Sequence, residues 1–90
     1  MYKIEFSKTA IADIIKLRRN EPKAYNKLDG LISELKEHPT TGTGHPEQLK
    51  GDKVGKWSRH ITGKHRLIYE IKEEVVIVNV LAAYGHYGDK

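Results

Sequence analysis

The run VVIVNVLAAY, residues 75–84, is apolar on both parities: Val75, Ile77 and Leu81 alternate with Val76, Val78 and Val80. A strand with one solvated face alternates apolar with polar residues, whereas one apolar on both sides has cover on both and neighbours along its edges. The chain must therefore build a sheet around this segment. The stretch that follows it, YGHYGDK, places His86 and Tyr87 side by side just beyond that strand, where they add nothing obvious to packing. Both are candidates for a site.

The remaining elements read outward from that strand. YKIEF alternates Tyr2, Ile4 and Phe6 against Lys3 and Glu5, the period of a half-buried strand. Ser7 stands where a helix N-cap accepts a backbone hydrogen bond, and Ile11, Ile14, Ile15 and Arg18 follow at helical spacing, which predicts a helix from about Lys8 to Arg19. Pro22 fits the first turn of a second helix, whose apolar stripe is Leu28, Leu31, Ile32 and Leu35 and which Pro39 ends. Residues 39–52, PTTGTGHPEQLKGD, read as a loop rich in turn residues. KWSRHIT, HRLIYEI and the apolar run then form a three-stranded antiparallel meander. The expected fold is one α+β domain over residues 1–90, β-α-α-β-β-β, with an antiparallel sheet packed on a two-helix hairpin and a more polar face left open.

Charge narrows the function. Residues 44–66 hold Lys50, Lys53, Lys56, Arg59, Lys64 and Arg66 against Glu47 and Asp52, a net +4 equal to that of the whole chain. A basic belt of this kind suits a phosphate backbone, and Lys50, Lys53, Lys56, Trp57, Arg59 and His60 are its candidate RNA contacts. A lysine-rich belt that is merely solvated is as common on charge alone, and Trp57 and Tyr69 in alternating strands more often pack than stack on bases. With no cysteine there is neither a disulfide framework nor a thiolate nucleophile. No run approaches the roughly 20 apolar residues of a membrane span, so a cytoplasmic protein without a membrane partner is expected.

In HRLIYEI the alternation puts Arg66, Ile68 and Glu70 on one side and Leu67, Tyr69 and Ile71 on the more apolar other. In KWSRHIT, Trp57, Arg59 and Ile61 oppose Ser58 and His60, and either set suits the groove. RNA cleavage by its own 2′-hydroxyl needs a base, a cation for the phosphorane and an acid for the departing 5′-oxygen. Glu47, Arg66 and His86 are one complete set. His60 and His65 flank the Gly63-Lys64 turn at a spacing that permits two zinc ligands, without a third.

The run GTGHPEQLKGDKVGKWSRHITGKHRLIYEI, with a His-Tyr close behind, resembles the YoeB toxins of the RelE/ParE superfamily, closely over residues 40–87. The resemblance implies a RelE-like fold and a ribosome-dependent endoribonuclease that cuts messenger RNA in the ribosomal A site. It implies a YefM-like antitoxin as partner, a homodimer as a further assembly, and chemistry without a cofactor. By motif, Glu47 of PEQLK would be the general base, Arg66 of HRLIY would hold the scissile phosphate, and His86 would be the general acid. Tyr87 would orient the phosphate or stack on the base, and Lys50 and Arg59 match positions that face RNA. His86 as base also fits, since a histidine near pKa 6.5 does either job. This chain has His45 and His60 where many relatives have lysine and arginine, and it continues past the tyrosine through Gly88, Asp89 and Lys90. Two other readings remain: a ParE-like gyrase poison, which would lack the Glu-Arg-His set, and a non-catalytic RNA-binding module.

Overall fold

A computed structural model describes residues 1–50 and 55–85. Strand β1 (Lys3–Phe6) leads into helix α1 (Lys8–Asn20) and helix α2 (Pro22–Leu35). Four strands follow: β2 (Glu47–Gln48), β3 (Lys56–His60), β4 (Arg66–Lys72) and β5 (Ile77–Ala82), with one 3-10 turn (Glu73–Val75) before the last. They form a single sheet in the order β1-β5-β4-β3-β2. The α+β architecture and the interior place of β5 follow the expectation. Two features depart from it. β1 runs parallel to β5, so the sheet is mixed, and the segment expected to be loop contributes β2, antiparallel to β3.

Both departures have local causes. The parallel pairing needs a crossover, which the two helices supply, and no periodicity in YKIEF announces its direction. β2 is two residues long, too short to leave a pattern. The final hairpin is also shorter than its apolar letters: Val75 and Val76 are exposed, and Val76 takes the left-handed conformation at φ 56° that turns the chain into β5. A β-branched residue is costly there, and the tight turn requires it.

Ser7 caps α1 as expected, its Oγ accepting from the Ala10 N–H at 3.0 Å. The buried face of α1 is not the expected stripe, however. Ala10 and Leu17 are fully buried with Ile14 packed beside them, whereas Ile11 and Ile15 are about half exposed. On α2, Leu28, Leu31 and Leu35 go into the core as the spacing predicts, Ile32 packs partly buried against it, and Ala24 joins them. The helices and one face of the sheet enclose Leu67, Tyr69, Val78, Val80 and Ala83. At roughly 25 cal/mol per Å² of apolar surface, each of the large side chains contributes about 1.5–3 kcal/mol. No helix among the described residues is long and apolar enough to cross a membrane.

Candidate active site

Register decides which side chains share the open face. Glu47 pairs with Ser58, Ser58 with Ile68, and Ile68 with Ala82, so these four form one row across β2, β3, β4 and β5. The neighbouring row pairs His60 with Arg66, and the row on the other side pairs Lys56 with Glu70 and Glu70 with Asn79. Paired residues project to the same side of a sheet. Trp57, Tyr69, Leu67 and Ile61 belong to the helix-covered side. Glu47, Ser58, His60 and Arg66 therefore lie on the other. With strands about 4.8 Å apart and about 3.4 Å per residue, the Glu47 and Arg66 backbones stand on the order of 12 Å apart.

The polar groups of that face are unevenly satisfied. Glu47 and Lys50 are exposed, and Arg66 is half-buried. Among the described residues, the buried Nε of Arg66 and the buried Oγ of Ser58 have no hydrogen-bond partner. A buried donor or hydroxyl left unmade costs about 1–3 kcal/mol, and folded chains keep few. Two of them, on adjacent strands and neighbouring rows beside an exposed carboxylate, form a place where an oxygen-rich ligand would supply what the protein withholds.

Arg59 presents the opposite case and corrects an expectation. It does not face RNA. It is fully buried on the helix side of β3, and every part of its guanidinium is engaged. Nε donates to the Tyr69 hydroxyl at 3.1 Å, Nη1 to Glu34 Oε1 at 2.8 Å and to the Thr43 carbonyl, and Nη2 to the carbonyls of His38 and Thr41. The Tyr69 hydroxyl in turn donates a hydrogen bond to the Pro39 carbonyl at 2.7 Å. Glu34 also accepts from the N–H and hydroxyl of Thr43, and these bonds, ahead of Arg59, hold its carboxyl below the usual range. Arg59 thus fastens the glycine-rich segment that leads to Glu47. Gly44 lies against the backbone of β3: its carbonyl accepts from the His60 N–H at 2.7 Å, and at φ 88° an added Cβ would lie 2.9 Å from the His60 oxygen. Only glycine fits.

Trp57, half-buried, is packed against the core on the helix side, the packing role rather than the base-stacking one; of WSR, the serine reaches the open face. Ser58 was the residue the sequence did not single out. Its signal was present in the alternation, but choosing the face required knowing that Trp57 and Ile61 go inward. His60 meets His45 edge-on with ring centroids 6.0 Å apart. His65 supplies no zinc ligand, since both its ring nitrogens are taken, one by Glu21 and one by the Gly85 N–H. Lys56 is half-buried on the open face. Lys53, His86 and Tyr87 lie outside the described residues.

This arrangement of strands and motifs has close counterparts. A family model described as a YoeB-like toxin of bacterial type II toxin-antitoxin systems matches residues 6–87. The chain belongs to this family. The YoeB toxin of Streptomyces coelicolor is 34% identical over 85 residues, covering 94% of this chain and 99% of that one. Among solved structures, the YoeB/ParE toxin of Agrobacterium tumefaciens superposes with a TM-score of 0.88 at 33% identity, covering 94% of this chain and 99% of that one. The YoeB dimer of Staphylococcus aureus reaches 0.83 at 29% identity over 96% of this chain and 98% of that one, and the YoeB–YefM complex of the same organism 0.82 at 28% over 97% and 99%. Membership of the YoeB-like family makes this chain a toxin of a toxin-antitoxin system, and the RelE-like fold is common to all of these structures.

Proposed function

We propose that this YoeB-like toxin is a ribosome-dependent endoribonuclease that cuts messenger RNA in the ribosomal A site. The observation that carries the reading is the half-buried Arg66, with its Nε unpartnered beside the unpartnered Ser58 hydroxyl, one row from Glu47. A cation with an open donor in a partly dry setting is matched to a charge that develops only during reaction.

In the proposed step Glu47 takes the proton of the 2′-hydroxyl, and the freed oxygen forms a bond to phosphorus. Arg66 takes up the charge gathering on the phosphorane oxygens, with the Ser58 hydroxyl as a second donor. The bond from phosphorus to the 5′-oxygen breaks, and His86 gives that oxygen a proton. The products are a 2′,3′-cyclic phosphate and a 5′-hydroxyl. Tyr87 orients the phosphate, and Lys50, Lys53, Lys56 and His60 hold the RNA and ribosome, which places the activity in the cytoplasm. A YefM-like antitoxin is the proposed neutralising partner and a homodimer the proposed free form, as in the Staphylococcus aureus structures.

Primer extension with end-group analysis on a defined messenger in a purified translation system tests the reading, with His86→Gln and Glu47→Ala beside the parent. A-site cuts bearing those end groups, lost in both variants, are expected. Arrest of translation with the messenger intact would replace cleavage by RNA binding alone.

A further inference from the structure

Gly85 is the last described residue before His86, and both sides of it are pinned. Its carbonyl accepts from the Arg66 N–H at 3.0 Å, and its own N–H donates to Nδ1 of His65 at 2.9 Å. His65 is 3% exposed, its ring against Tyr84 at 4.3 Å. Its other nitrogen, Nε2, lies 2.7 Å from Oε2 of Glu21, the residue joining α1 to α2. Just upstream, Asp13 Oδ2 accepts from the Ala83 N–H at 2.9 Å.

These contacts admit one arrangement of protons. An imidazole that accepts at Nδ1 carries its proton on Nε2, and Glu21 is the acceptor that holds it there. The same bond, with His65, is the first cause of the lowered Glu21 pKa. The β5 ladder ends at Ala82, and beyond it side chains of the helix layer and a buried histidine hold backbone N–H groups that water would otherwise satisfy. A buried imidazole is expensive unless both nitrogens are paired, and here the pairing fixes the backbone at the point from which the chain departs for His86. The residue whose N–H is so fixed is also the one whose carbonyl, in the next peptide, accepts from the Arg66 N–H.

We propose that Glu21 and His65 are positioning residues for the reaction: Glu21 selects the His65 tautomer, and His65 Nδ1 sets the amide of Gly85, the residue that precedes His86 in the sequence. The proposal rests on the cleavage reading above, and its test separates the two. His65→Asn places an amide oxygen where Nδ1 stood and keeps an acceptor for Gly85; His65→Gln places its amide near Glu21 and leaves Gly85 without one. Both lose the ring and its packing on Tyr84.

The full-length protein is compared for kcat in messenger cleavage on programmed ribosomes, for melting temperature, and for hydrogen exchange at the Gly85 amide by NMR. His65→Gln should lose protection at Gly85 and on the order of 10- to 100-fold in kcat, the scale of a small misplacement of a reacting group. His65→Asn, with a similar melting temperature, should keep Gly85 protection and recover most of the rate. Equal rates and equal Gly85 exchange in the two variants would reduce His65 to core filling and overturn the proposal. Should neither His65 variant fold, Glu21→Ala decides: faster Gly85 exchange at an unchanged melting temperature supports the tautomer role, and unaltered exchange rejects it. If the parent cuts no messenger, the cleavage reading and the reaction role fall together, whereas Gly85 exchange still reports whether the pin exists.

Discussion

Arg59 and Arg66 stand on adjacent strands, seven residues apart, and face opposite sides of one sheet. Arg59 has no exposure and all its donors are used. Arg66 is half-buried and leaves a buried Nε empty. Arginine was spent in one place to close a loop and in the other to keep a donor open. A satisfied buried guanidinium organises the fold and adds nothing to ligand binding, whereas an unsatisfied one lowers stability and is retained for something outside the chain. The difference makes the two side chains separable by experiment, with stability reporting on one and rate on the other.

The largest effect belongs to Arg59. Arg59→Met keeps most of the volume but strips the donor from the Glu34 carboxylate and from the carbonyls of His38, Thr41 and Thr43. Removing one partner of a buried ionic network costs about 3–5 kcal/mol, and urea denaturation should show a loss of that size. Surviving folded protein should still cut RNA. A variant as stable as the parent but inactive would invert the comparison and return Arg59 to the RNA face.

Arg66→Ala should do the reverse. Cleavage on programmed ribosomes should drop on the order of 10²- to 10³-fold, as when one donor to a developing oxyanion is removed. Stability should hold or rise, since an unpaired buried Nε disappears with the side chain. A marked fall in melting temperature at unchanged activity would show Arg66 to be structural as well.

That the two arginines differ was half legible in the sequence. Alternation in HRLIYEI put Arg66 opposite Leu67 and Tyr69, and it does lie there. The same rule in KWSRHIT left two faces equally open, because Trp57 and His60 are each at home on either side, and the basic belt drew Arg59 toward RNA. What settles the matter is a contact at long sequence distance, Arg59 with Glu34, which no local period encodes. The helix hairpin was readable where leucines mark it, in α2. In α1 the isoleucines misled: Ile11 and Ile15 are stronger apolar letters than Ala10, yet the close approach of α1 to the sheet selects the small residue. Glu47 was found as a motif residue, while its pairing with Ser58 rests on a two-residue strand that leaves no pattern.

Acid sharpens the contrast. The Glu34 carboxyl is held below its ordinary 4.5, first by the Thr43 hydroxyl and N–H and then by Arg59. A group whose folded pKa is depressed stabilises above its unfolded value and loses that contribution as pH falls through the folded one. The Arg59 side should therefore weaken only below about pH 4.5. Glu34→Gln should lower the melting temperature at pH 7 and flatten its fall in acid, by a modest amount because Glu34 is about a third exposed. An unchanged acid slope would detach Glu34 from the network.

Ser58 gives the smallest effect and the finest test of the open face. Its hydroxyl is buried without a partner, so Ser58→Ala removes a desolvated group at almost no loss of volume. If the hydroxyl served the fold, alanine would cost about 1 kcal/mol; if the fold merely tolerates it, alanine should be neutral or stabilising by about that much. We expect the second outcome, together with a several-fold slower cleavage at unaltered affinity for the ribosome. A Ser58→Ala protein that is less stable and equally fast would mean that the empty polar atoms of this face are an accident of packing. Arg66 would then stand without its neighbour as the cation of the site.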